Sequence, residues 1–73
     1  MDNLISSPQI VARYKISYQT LNYYTNLGLL HVITKQGNKR LYKESEIRHN
    51  LVKIQGLKNE GYTLRLIRKI LNG

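Results

Sequence analysis

The chain is 73 residues long, enough for one small domain that buries only about 60% of the surface its unfolded chain exposes. It holds no cysteine, which excludes disulfides and thiolate metal sites, and no apolar run approaches the roughly 20 residues that span a bilayer. Twelve Lys and Arg against four Asp and Glu leave a net charge of +8, an excess suited to a polyanionic partner.

That excess is uneven. Residues 1–36 hold three bases against one acid, whereas residues 37–73 hold nine against three. The start MDNLISSPQ lacks the positive region and long apolar stretch of a signal peptide, so a soluble cytoplasmic protein is expected. There is no repeat, no low-complexity tract and no linker, and residues 1–73 read as a single domain.

In chain order, Ser6-Ser7-Pro8-Gln9 opens a first helix. A serine caps it, Pro8 stands where a missing N–H costs nothing, and Gln9 reaches back to Ser6 as in a capping box. Ile10, Val11 and Tyr14 follow as a core stripe. After Lys15-Ile16, Ser17 caps a second helix whose apolar side is Leu21 and Tyr24, with Leu27 beyond and Gly28 as its stop.

Between Leu29 and Tyr42 the residues turn strand-like. Val32, Ile33 and Thr34 precede Gln36-Gly37-Asn38, and Lys39 to Tyr42 follow it, which predicts a two-stranded hairpin. Ile47, Leu51, Ile54 and Leu57 then recur at helical spacing from about Glu44 to Asn59. Gly61 breaks the chain, and Thr63 caps a last helix that brings Leu64, Ile67, Ile70 and Leu71 to the core. The order is mainly α: helix-turn-helix, hairpin wing, then two helices, a winged helix-turn-helix.

The second helix has two unlike faces. Gln19, Asn22, Tyr23 and Asn26 fall at i, i+3, i+4 and i+7, opposite Leu21 and Tyr24. An α-helix fits the major groove of DNA, where Asn and Gln pair bidentately with adenine and a tyrosine hydroxyl reaches a phosphate. An ordinary solvated face is the competing reading. Double-stranded DNA is the expected partner, met by Ser17, Tyr18, Gln19, Asn22, Tyr23 and Asn26 on the helix and by Lys35, Lys39, Arg40 and Tyr42 on the wing. Alternation across Arg40-Leu41-Tyr42 puts Leu41 opposite the other two, with Arg40 as charged anchor and Tyr42 packing at the base of the wing.

Catalysis is not expected. The acids are Asp2, Glu44, Glu46 and Glu60, the histidines are His31 and His49, and no pair among them suggests an acid, a base or a metal centre, so neither cofactor nor metal is expected. A basic last helix with Leu64, Leu66, Ile67, Ile70 and Leu71 beside Arg65, Arg68 and Lys69 leaves a membrane-surface or protein-interaction module as an alternative, although no membrane partner is expected. An architectural or excisionase-like DNA-binding protein is the other.

Over nearly its whole length the chain resembles the mercury-resistance-regulator-like (MerR-like) transcription factors in their N-terminal domain. The resemblance is carried by Ser17, Thr20-Leu21, Tyr23-Tyr24, Gly28-Leu29-Leu30, Arg40-Leu41-Tyr42, Glu44, Ile47 and Gly61-Tyr62-Thr63-Leu64 with Ile67. It implies a bacterial transcription regulator whose second helix enters the major groove while the wing grips the backbone. It also implies phosphate-binding roles for Tyr23, Arg40 and Tyr42, and dimers that bend and untwist promoter DNA. The chain departs from the family where Gln19 and Asn22 replace arginines, Lys15 replaces a turn glycine, and Lys43 replaces a capping serine or aspartate. Because the sequence stops at Gly73, a homodimer is expected only through a segment not contained in it, or on DNA.

Overall fold

The computed structural model describes residues 3–72, and the expectation for Asp2 lies outside them. In chain order the elements are β1 (Leu4–Ser6), α1 (Ser7–Tyr14), α2 (Tyr18–Asn26), β2 (Val32–Gln36), β3 (Lys39–Lys43), α3 (Glu44–Asn59) and α4 (Leu64–Asn72).

Local chemistry at the helix ends accounts for this division. Ser6 is the N-cap of α1: its Oγ accepts from the Gln9 backbone N–H at 3.4 Å while the Gln9 Oε1 accepts from the Ser6 N–H at 3.0 Å. The reciprocal pair satisfies amides that the helix leaves open. At the other end Lys15 turns the chain in a left-handed conformation, φ 56° and ψ 44°. Two residues later the Ser17 Oγ accepts from Thr20 N–H at 3.0 Å and starts α2.

Lys15 is the one non-glycine with positive φ among the described residues. Its Cβ crowds the following carbonyl, at a cost of roughly 1–2 kcal/mol, partly offset because glycine has more freedom to lose on folding. Lys15→Gly should therefore raise stability by about 0.5–1 kcal/mol, read as a higher urea midpoint at unchanged slope. A midpoint that stays or falls would show that this turn holds no strain.

The two longer connections repeat one stop signal. At the end of α2, Gly28 (φ 84°) donates to Thr25 O at 3.1 Å and Leu29 donates to Tyr24 O at 2.9 Å. At the end of α3, Gly61 (φ 95°) donates to Lys58 O at 2.9 Å and Tyr62 to Leu57 O at 3.0 Å. Both are Schellman motifs, in which glycine takes the left-handed position and frees the chain to leave sharply. Thr63 then caps α4, its Oγ1 accepting from Leu66 N–H at 3.2 Å. Lys43, at the N-cap of α3, makes no side-chain cap bond, and Glu44 and Glu46 in the first turn complement the helix dipole instead.

The sheet contains the expected two-stranded hairpin as β2 and β3, with a further strand, β1, that was not expected. It has three antiparallel strands in the order β1-β3-β2, with Ile5 opposite Tyr42 on one side of β3 and Lys35 opposite Arg40 on the other. A bulge between Val32 and Thr34 shifts the β2 register. The edge strand β1 covers what would otherwise be an open flank of the wing.

Ile5, Ile10, Leu21, Tyr24, Leu29, Leu30, Tyr42, Ile47, Ile54 and Ile67 form one buried cluster to which every element except β2 contributes. Val11, Tyr14, Leu27, Leu51, Leu57, Leu64 and Leu71 pack against its edge. Ile70, expected in the core, is instead 47% exposed. It stands on the flank of α4, beyond the stripe of Leu64, Ile67 and Leu71.

Candidate nucleic-acid interface

The outward face of α2 forms as its spacing requires. Leu21 and Tyr24 are buried, and Gln19, Asn22, Tyr23 and Asn26 are all exposed, Tyr23 by 52%. No residue of α2, Tyr-Gln-Thr-Leu-Asn-Tyr-Tyr-Thr-Asn, carries a formal charge. The helix thus presents amides and phenols and leaves charge to its neighbours.

On one side lies the wing. Tyr18 and Asn22 form one wall of a groove whose other wall is Asn38, Lys39 and Arg40, with Ser7 and Pro8 at the end. The Arg40 guanidinium crosses it, Nη1 donating to Asn22 Oδ1 at 3.4 Å. Lys35 sits directly opposite Arg40 in the ladder, and Lys39 is exposed beside the turn. Like charges face to face are unfavourable for the sheet itself and favour an anion laid across it.

On the other side lies α4. Tyr23 and Asn26 share a second cleft with Leu27, Thr63, Leu64, Arg65 and Arg68. Arg68 lies over the α2 stop signal: a Cβ on Gly28 would come within 3.2 Å of its Nε. The Asn72 amide donates to Gly28 O at 3.0 Å, anchoring the end of α4 to the same loop. Arg65 and Arg68 therefore join the α2 face, an association absent from the sequence reading, which named them only within the membrane-surface alternative. The membrane alternative loses most of its apolar face, because Ile67 is fully buried and Leu64 and Leu71 pack on the core, leaving Leu66 and Ile70 exposed.

Two expected site residues have other duties. Tyr42 sits at the base of the wing, but it is fully buried, which corrects the phosphate-contacting role. Thr25 Oγ1 donates to Leu21 O at 2.8 Å, so its single proton is committed and the Tyr42 hydroxyl, 2.9 Å away, donates to it. Ser17 remains exposed, yet its hydroxyl caps α2 and donates to Thr20 Oγ1 at 2.9 Å. The structure thus brings Tyr18, Asn22, Lys39 and Arg40 into one groove and sets Tyr23 and Asn26 in the other, with Gln19 on the helix face and Lys35 on the wing.

Glu44 and Glu46 are engaged elsewhere. Glu44 pairs with Arg13, and Glu46 accepts from the His31 backbone N–H at 3.1 Å and meets His31 Nδ1 at 3.2 Å. Among the described residues no group of His, Asp and Glu could hold a metal ion, and no helix is long and apolar enough to cross a membrane.

A charge-free helix between a cationic hairpin and a cationic helix end, on a helix-turn-helix frame, defines a winged helix-turn-helix protein of the DNA-binding class. The family model for MerR HTH family regulatory proteins matches residues 5–73, and the chain belongs to that family, one of regulators and not of enzymes. A crystal structure of a MerR-family transcriptional regulator from Bacillus cereus is similar over 97% of this chain, with a TM-score of 0.80 and 24% identity. The chain spans 53% of the length of that protein. Comparison with curated protein sequences gives no match.

Proposed function

We propose that the chain binds duplex DNA sequence-specifically as the DNA-binding part of a transcriptional regulator, with α2 in the major groove and the wing on the adjoining backbone. The observation that supports this is the neutral amide face of α2 flanked by Lys35, Lys39 and Arg40 on one side and Arg65 and Arg68 on the other. Phosphate contacts position a protein and base contacts specify, and a neutral centre between two cationic margins separates those tasks in space. One such face covers a half-site. A palindrome is filled by a homodimer, formed through chain beyond residue 73 or on the DNA, in the cytoplasm.

Titration of a labelled duplex tests the reading, with Arg40→Ala as the informative variant. Removing this one cation should weaken binding about tenfold at 0.1 M salt, equally on all sequences, and lower the salt slope by about one. Unchanged affinity in a folded Arg40→Ala protein would remove the wing from the interface.

A further inference from the structure

The two amides that lead the α2 face are not in the same chemical state. Asn22 accepts from Arg40 Nη1 through its Oδ1. Gln19, in the first turn of α2 and exposed, makes no hydrogen bond through its carboxamide among the described residues. That difference decides what each can recognise. With Arg40 on one lone pair of its oxygen, Asn22 meets a further partner beside Arg40 mainly through its N–H donors, and Arg40 has only donors. Together they form a donor-rich surface, complementary to the acceptor-only oxygens of a phosphate. Gln19 keeps one acceptor and two donors, the complement of the N6 donor and N7 acceptor on the major-groove edge of adenine. Guanine offers two acceptors there, and an amide oxygen set against them is left without a donor.

We propose a division of labour: Gln19 reads an A·T base pair, while Asn22 is held by Arg40 as half of a phosphate clamp joining the reading helix to the wing. This rests on the reading that α2 enters the major groove. Asn22, one turn after Gln19 on the same face, is thereby withdrawn from base reading although its side chain is of the adenine-pairing kind. As a positioning residue it acts through Arg40, which it holds at the mouth of the groove shared with Tyr18 and Lys39.

The test uses the full chain, a duplex selected from a random library, and every single-base-pair variant of that duplex. Gln19→Ala, Asn22→Ala, Arg40→Ala and the double variant Asn22→Ala/Arg40→Ala are titrated at several salt concentrations, with circular dichroism as the control for folding. Gln19→Ala should lose about 5- to 150-fold discrimination at one A·T pair, keep its affinity for random duplex and keep its salt slope. Asn22→Ala should weaken all sequences alike and add little once Arg40→Ala is present, since the two act as a unit. A uniform loss from Gln19→Ala, a preference under Gln19 for a pair other than A·T, or loss of discrimination at one base pair from Asn22→Ala would each overturn the division. So would additivity of Asn22→Ala with Arg40→Ala. Failure of the unaltered chain to bind any duplex at low salt is a different result, and it overturns the underlying reading as well.

Discussion

Raising the salt concentration from 50 to 200 mM should weaken binding of the chain to duplex DNA by about 500-fold. The expectation follows from counting cations at the margins of α2: Lys35, Lys39 and Arg40 on the wing, Arg65 and Arg68 on α4. Each neutralised phosphate releases condensed counterions and contributes about −0.9 to the slope of log K against log salt, so five give about −4.5. Arg13 is left out because Glu44 already pairs with it. Since α2 carries no charge, substitutions on it should leave the slope alone, while each of the five cations should remove about one from it. Fluorescence titration across that salt range measures the slope. A value near zero would sink the electrostatic account of the face, and a slope of −4.5 that survives loss of Arg65 and Arg68 would confine the contact to the wing side.

Replacing Tyr42 should be the most damaging single change in the wing, through the fold and not through DNA. Its side chain is fully buried beneath α2, and Tyr42→Ala should cost about 3–5 kcal/mol as the cavity and the lost apolar contacts combine. A chain of this length has a total stability of about 4–11 kcal/mol, so the variant should lose at least about a quarter of it and, at the lower end of the range, all of it. Tyr42→Phe isolates the hydroxyl. Losing the bond donated to Thr25 should cost about 1 kcal/mol, with DNA affinity within about twofold of the unaltered chain. Urea unfolding and duplex titration of the same preparations check both halves. A Tyr42→Phe protein of near-normal stability that has lost tenfold or more in affinity would restore the hydroxyl to the DNA.

Much of this architecture is written in short-range chemistry. Ser6 with Gln9, Ser17 before the apolar pair Leu21 and Tyr24, and Thr63 after Gly61 mark three helix starts, because caps are satisfied within three or four residues. The expected bounds of α3, Glu44 to Asn59, coincide with the observed ones for the same reason: four apolar residues at helical spacing end at a glycine stop. What could not be read depends on pairing across the chain. A strand of three residues, Leu4–Ser6, has no alternation to show and exists because Ile5 finds Tyr42 across the ladder. Alternation put Arg40 and Tyr42 on one face of β3, which the Asn22 and Thr25 bonds bear out, but only the position of α2 leaves Arg40 partly open and encloses Tyr42. Arg68 reaches the α2 face where Gly28 admits a guanidinium above it, a meeting of residues 40 apart in sequence, and Arg65 shares the same cleft.

The link between α2 and β3 has two rungs. Arg40 and Tyr42 leave one face of the strand and meet Asn22 and Thr25, which are three residues apart on one face of the helix. Two rungs on rigid elements fix both the distance and the angle between them, where one would leave a pivot. The protein therefore behaves as a gauge of fixed span. On the proposed mode it meets a duplex whose groove and backbone must fit that span, and any misfit falls as elastic work on the softer body, the DNA. Flexible pyrimidine–purine steps yield at less cost than stiff A-tracts, so sites should be sorted also by base pairs lying between helix and wing that no side chain meets.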